Sequence, residues 1–347
     1  MPEVQSVLGP VPAGELGIVL PHEHLFNDLS SLAAAPAYPS TRVLVDQRVG
    51  PRWQHLLRQD PYCCRDNVRA KEPERVEGEV DAFRAVGGRT VVDATGSPAI
   101  GRDPVRLRRL AEATSTHIVM GTGAYLETFE GTRITARAVD QQTESILADL
   151  DHGVDDTGVR AGVIGEVGVS PLYTRAESAS LRAAAIAQVE RPTVGLNIHL
   201  PGWQRRGHEV LDLVLAECGV APGKVALAHS DPSGADPAYQ RSLLDRGVRL
   251  EFDMIGLDIT FPGEGAAPSV VQTADAVTDL VRDGFGSQLL LSHDLFLKQM
   301  WIANGGNGLV FVPTIFRDLL RSRGLAEDIL DSLLVANPAE WLTGGPS

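Results

Sequence analysis

Short apolar runs rich in β-branched residues recur along the chain, and each ends in Gly, Pro, Asp or His. They are Leu16–Leu20, Thr90–Ala94, His117–Gly121, Gly162–Gly165, Thr193–Ile198, Lys224–Ala228, Val248–Phe252 and Gln288–Leu291. Between most of them lie stretches with helical character: Glu74–Val86, Pro104–Ala113, Gln142–Leu150, Ala176–Val189, Gln204–Cys218, Pro237–Asp245 and Val270–Asp283. In the last, Val270, Ala274, Val277 and Val281 share one helical face. Continuous apolar strands alternating with helices predict a parallel sheet covered by helices. Eight such units in about 300 residues predict an α/β fold of the (β/α)8 TIM-barrel type. An open doubly wound sheet would more often carry a glycine-rich phosphate loop after its first strand. Here that strand is followed by Pro21-His22-Glu23-His24. Residues 1–347 are read as one domain, with an irregular insertion at about 26–67 near the barrel mouth.

Composition narrows the function without choosing it. The chain has 347 residues, 43% hydrophobic and 22% charged, which is the balance of a water-soluble globular protein. No apolar run reaches the roughly 20 residues of a membrane span, and the first residues lack the basic flank and apolar core of a signal peptide. Three cysteines, two of them adjacent, argue against a disulfide framework and for a cytoplasmic location. A formal charge of −14 disfavours nucleic acid and anionic membrane as partners, and leaves a small-molecule substrate open.

Barrel enzymes work at the C-terminal ends of their strands. There the chain places His22 and His24, then Glu166 in Gly-Glu-Val-Gly, His199, His229 with Ser230 and Asp231, and Asp294 after Ser292-His293. Residues two apart on a strand share a face, so His22 and His24 can both point inward. Four imidazoles and two carboxylates suit borderline divalent metals, zinc first, with manganese or cobalt as alternatives. Taken singly, each has a bland reading. Glu166 and Asp294 could cap helices, and Asp231 could be a turn residue before Pro232. His293, adjoining Asp294, should point away from the barrel axis. His55, His117, His152 and His208 fit no strand end.

The order of these pieces resembles the phosphotriesterase family of the amidohydrolase superfamily. The likeness runs from Val7-Leu8-Gly9-Pro10 through Pro21-His22-Glu23-His24-Leu25, Gly165-Glu166-Val167-Gly168, His199-Leu200-Pro201-Gly202, His229-Ser230-Asp231 and Leu291-Ser292-His293-Asp294. It ends at Gly305-Gly306-Asn307-Gly308 and Asn337-Pro338. The resemblance implies a binuclear metal centre. His22, His24 and Asp294 would hold the more buried metal, and His199 and His229 the more exposed one. Glu166 would be the bridging ligand, where other members use a carboxylated lysine. Members are often dimers, so the resemblance also implies a homodimer, although no stretch identifies an interface.

Two metals about 3.5–4 Å apart can share a hydroxide that attacks the carbonyl or phosphoryl centre of a small substrate. Asp294, with Glu166 as bridge, is then the expected catalytic group, accepting the hydroxide proton and passing it to the leaving group. The expected substrate is a lactone, ester or N-acyl amide, with phosphotriester turnover as a weak side activity. Asp231, Tyr125, Lys298 and Trp301 are candidate substrate contacts, with Lys298 suited to an anionic group; Asp231, two residues beyond His229 and on its face, could instead orient His229, and Glu251 and Asp253 could be pocket groups or barrel fill. Two other readings compete. One is a TatD-like metal-dependent nuclease, disfavoured by the acidic charge; the other is a non-catalytic ligand-binding barrel.

Overall fold

The structure, a computed structural model, describes residues 2–344. Eight parallel strands form the sheet: β1 Ile18–Glu23, β2 Gly88–Asp93, β3 His117–Thr122, β4 Val163–Gly168, β5 Gly195–His199, β6 Val225–Leu227, β7 Arg249–Phe252 and β8 Leu289–Leu291. They follow one another in sequence order around the sheet, with helices between them. This is the expected TIM barrel, nearly closed. Side chains complete the seam between β8 and β1: Ser292 Oγ accepts from His22 N at 3.1 Å and lies 2.9 Å from His22 O. Asp294 N donates to His22 O at 3.2 Å.

The first strand starts two residues later than its apolar run suggests and continues through His22. Gly17 is the reason. Its φ is +56°, and a Cβ there would lie 2.5 Å from the Arg89 stem, so the chain turns before β1 begins. The helix expected from Gln204 begins at Gly207, because Pro201 to Gln204 forms a turn closed by Gln204 N donating to Pro201 O at 2.9 Å. The insertion holds only short helical pieces, at Ser30–Leu32, Pro39–Leu44, Pro51–Trp53 and Gln54–Leu57. Local pattern gave no sign of two β-hairpins, Glu3–Ser6 with Gly9–Pro12 and Thr260–Phe261 with Gly265–Ala266. It also gave no sign of the C-terminal helical segment that ends in Asn337–Thr343. Among the described residues no helix is long and apolar enough to cross a membrane, and all three cysteines are free.

That last helix plugs the bottom of the barrel. Trp341 packs so tightly under β5 that a Cβ on Gly195 would lie 2.7 Å from its ring. Its Nε1 donates to Lys224 O at 3.0 Å, and Lys224 Nζ donates to Trp341 O at 2.5 Å. Burial, reinforced by the charge of Arg249, pushes the Lys224 ammonium down to about 7. An unfolded lysine titrates near about 10.4. Between those values the folded chain binds fewer protons than the unfolded chain, so stability rises with pH across that window. Lys224→Met should remove up to about 2 kcal/mol of the gain between about pH 7 and pH 9. Urea unfolding midpoints at the two pH values, compared between variant and natural chain, measure it.

Candidate metal centre

The strand periodicity delivers six side chains to one rim. From β1, His22 and His24 point inward. Their outer nitrogens approach Asp294 from the β8 end and Glu166 on β4. His24 Nε2 is 3.1 Å from Asp294 Oδ1 and 3.3 Å from Glu166 Oε1. His22 Nε2 is 3.6 Å from Glu166 Oε2 and 3.9 Å from Asp294 Oδ1. On the other side, Glu166 Oε2 lies 2.9 Å from His199 Nδ1 and 3.5 Å from His229 Nε2, and the two imidazoles are 2.7 Å apart. One carboxylate thus reaches both groups, with Oε1 on His24 and Oε2 between His22 and the His199–His229 pair.

The chemistry of this donor set fits cations. His22, His24 and Asp294 offer ligand atoms within 4.8 Å of one another, and so do His22, Glu166 and His229. His22 Nε2 is buried with no hydrogen-bond partner among the described residues, and buried Asp294 Oδ1 has only the 3.1 Å contact with His24 Nε2. Buried polar atoms without partners are costly, and a metal ion would satisfy both. The electrostatics point the same way. Burial opposes charge on His22, but Glu166, Glu251 and Asp253 pull its pKa up to about 10. His24, likewise opposed by burial, is drawn up to about 9 by Asp294 and Glu166. Glu166 is held well below the usual carboxylate range, against its burial, by His199 and His22. This rim attracts positive charge.

A second ring of carboxylates fixes the first. Glu251 Oε2 accepts from His22 Nδ1 at 3.0 Å and from Asn197 Nδ2 at 2.6 Å. Asp253 Oδ1 is 3.0 Å from His229 Nδ1 and also accepts the His229 backbone N–H at 3.0 Å. His24 Nδ1 meets Thr95 Oγ1 at 2.9 Å. Such contacts choose the nitrogen left free to face the rim. Glu23, between the two histidines, faces the opposite way, as period-two alternation requires. Its carboxylate accepts from His293 Nδ1 at 2.7 Å, His293 N at 3.0 Å and Leu295 N at 3.0 Å, which clamps the loop carrying Asp294. His293 therefore points away from the rim. His229 and Asp294 both sit in the left-handed region, with φ of +57° and +52°. Non-glycine residues are held there only where surrounding contacts over-determine them.

Sequence pattern missed the positioning role of Glu23 and assigned part of the outer ring wrongly. Asp231 does not orient His229. Its carboxylate accepts from Asp253 N, Met254 N and Thr273 Oγ1, so it holds the β7 end in place, and Asp253 takes the contact with His229. The usable signal was Glu251-x-Asp253, two carboxylates on one face of a strand. Asp253→Asn should weaken metal retention by about 10–100-fold, read by competition with a chelator.

Above the rim lies a cavity of about 350 Å³. Tyr125, Phe129, Trp203, Phe261 and Phe296 line it together with His24, Glu166, His199, His229 and Asp294. Tyr125 is a wall residue, its hydroxyl 3.4 Å from His199 Nδ1. Burial, reinforced by Glu166 and Asp294, raises the phenol well above its ordinary value, so it stays a hydrogen-bond donor. Lys298 and Trp301 do not line the cavity. Lys298 Nζ is held by Glu72 at 2.7 Å and Asp66 at 3.0 Å, and Trp301 packs over Lys71. Both turn towards the insertion, because the loop after β8 folds back upon it: Lys298 N donates to Asn67 O at 3.1 Å.

A family model described as the phosphotriesterase family matches residues 2–342. The chain belongs to the phosphotriesterase family. It is a hydrolase of that family, whose members use a binuclear metal centre and act on small molecules. N-acetyltaurine hydrolase of Rattus norvegicus is 32% identical over 349 residues, covering 98% of each chain. A resiniferatoxin-binding protein from Rhodobacter sphaeroides is 40% identical, with a TM-score of 0.95 over 99% of this chain and 95% of that one. A mutant of a phosphotriesterase-like lactonase from Deinococcus radiodurans is 29% identical, with a TM-score of 0.76 over 98% of this chain and 99% of that one.

Proposed function

We propose that this family member holds two divalent metal ions, zinc first, and hydrolyses a small ester, lactone or N-acyl amide. The reach of the Glu166 carboxylate, with Oε1 on His24 and Oε2 between His22 and the His199–His229 pair, carries the reading. His22, His24 and Asp294 would hold one ion, His199 and His229 the other, and Glu166 would join them. When bound, the ions supply Lewis acidity and an acidified water.

The chain's own groups do the rest. Asp294 accepts a proton at a carboxylate oxygen and delivers it to the leaving group. Its carboxylate lines the cavity at the rim, with Oδ1 3.1 Å from His24 Nε2, which places it beside the reacting centre. Tyr125, kept protonated, donates a hydrogen bond towards the substrate oxygen. The aromatic wall excludes water and strengthens these polar contacts. The relatives named N-acetyltaurine hydrolase and phosphotriesterase-like lactonase support a carbonyl substrate. One neighbour is named for binding resiniferatoxin; turnover in the screen below would exclude a purely binding role for the present chain.

The test combines metal analysis with a screen of aryl esters, lactones, N-acyl amides and aryl phosphotriesters. Two metal equivalents per chain are expected, with carbonyl substrates preferred over phosphotriesters by about tenfold or more. Equal, weak turnover of every class would remove the carbonyl preference. A reconstituted chain retaining under about one metal would remove the binuclear reading.

A further inference from the structure

We propose that the cavity over the rim selects substrates by charge, with Glu264 as the specificity-determining residue. It admits neutral substrates with an aromatic or bulky apolar body and rejects those carrying a sulfonate or carboxylate. This rests on the hydrolase reading for its chemistry, but the selection itself is a property of binding.

The cavity has an unusual balance of side chains. Phe261 is the centre of its aromatic wall, with ring centroids 6.2 Å from Tyr62, 5.8 Å from Trp203 and 6.1 Å, stacked, from Phe296. No lysine or arginine among the described residues lines it, whereas Glu264 does, in addition to Glu166 and Asp294 at the rim. The nearby cations are committed elsewhere. Lys298 is tied to Asp66 and Glu72. Lys71 Nζ donates to His24 O at 3.1 Å, to Phe296 O at 3.0 Å and to Asn27 Oδ1. Arg206 binds Pro171 O and Glu209, each at 2.7 Å, and Arg205 lies over the Tyr239 ring. An anionic substrate tail would therefore meet no counter-charge on the wall.

Glu264 is presented deliberately. It sits in the turn of the Thr260–Phe261 and Gly265–Ala266 hairpin, closed by Glu264 N donating to Phe261 O at 3.0 Å. The hairpin is seated on Trp203, since a Cβ on Gly265 would lie 2.3 Å from Trp203 Nε1. Thr260 N donates to Arg58 O at 2.7 Å, which anchors the hairpin to the insertion. The Glu264 side chain lies exposed at the cavity edge, and no hydrogen bond or salt bridge within the described residues engages its carboxylate. The hairpin holds the backbone of Glu264 at the cavity edge, and its exposed, unpaired negative charge repels an anionic tail and leaves a neutral one unaffected. The relatives named for N-acetyltaurine act on an amide that carries a sulfonate; by this argument the present chain handles that compound poorly.

The test uses two aryl acetates of similar size, the neutral 4-(methylsulfonyl)phenyl acetate and the anionic 4-acetoxybenzenesulfonate. The metal-loaded natural chain should favour the neutral ester in kcat/KM by about tenfold or more, mainly through KM. Glu264→Gln should narrow that ratio by about threefold, and Glu264→Lys should narrow it further. Calorimetry with the non-hydrolysable ketones 4-(methylsulfonyl)acetophenone and 4-acetylbenzenesulfonate, on metal-loaded and metal-free chain, reads binding alone. Charge-selective binding without turnover upholds this inference and defeats the hydrolase reading. Turnover without charge preference, an unchanged ratio in both Glu264 variants, or binding of neither ketone overturns the inference.

Discussion

Glu166→Ala is expected to lower hydrolysis by about a thousandfold or more and to reduce bound metal from about two ions per chain to about one or fewer. The size of the effect follows from its position. One oxygen is 3.3 Å from His24 Nε2, and the other is 2.9 Å from His199 Nδ1. Among the described residues no other carboxylate reaches both groups of imidazoles so closely. Asp294 lies 3.1 Å from His24 but 3.8 Å from His229. Removing Glu166 also leaves four imidazoles clustered with less negative charge to hold them, so the loss should not be rescued by excess metal. Glu166→Gln keeps the volume but removes the charge, and should fall between the natural chain and the alanine variant in metal content. Elemental analysis and kcat/KM measured on the same preparations decide the matter. A Glu166→Ala chain that retains two metals and most of its activity would refute the bridging role.

Asp294→Asn should have a different signature. The substitution keeps the shape and one ligating oxygen but removes the proton acceptor. The kcat for amides should fall by about 10²–10⁴-fold, while at least one metal ion is retained. The loss should depend on the leaving group. An amine must be protonated as it departs, so an amide feels the full effect. A 4-nitrophenolate departs without a proton, so its ester should lose less. Equal losses across both substrate types would assign Asp294 to metal holding alone. The clamp from Glu23 through His293 makes this comparison sharper, because it holds the Asp294 loop in place whichever side chain stands there.

The residue types of the candidate site were legible in the sequence. Strand ends carrying His22, His24, Glu166, His199, His229 and Asp294 recur at the spacing a barrel requires, and the structure brings all six side chains to one rim. The outer ring was only half legible. Glu251 and Asp253 stood out as carboxylates at a strand end, but nothing local says which imidazole each will hold. Asp231 looked like the natural partner of His229 because the two are close in sequence. In the folded chain the backbone at His229 turns into the left-handed region, and Asp253 on the next strand receives both its backbone N–H and its Nδ1. Adjacent strands outcompete near neighbours in sequence here, because the ladder sets their distance.

The sequence by itself determined the alternation of strands and helices, the placing of metal-binding residue types at strand ends, and the face that His22 and His24 share. These depend on periods of two and 3.6 residues, which are properties of short segments. Tertiary structure alone decided the closing of the β8–β1 seam, the plug formed by Trp341, and the turning of Lys298 into the insertion rather than the cavity. It also decided the charge of the cavity wall, which is set by the hairpin that carries Glu264. These features join segments up to the full separation of positions 22 and 294. Their geometry comes from packing and from the satisfaction of buried polar groups, and no local period encodes either.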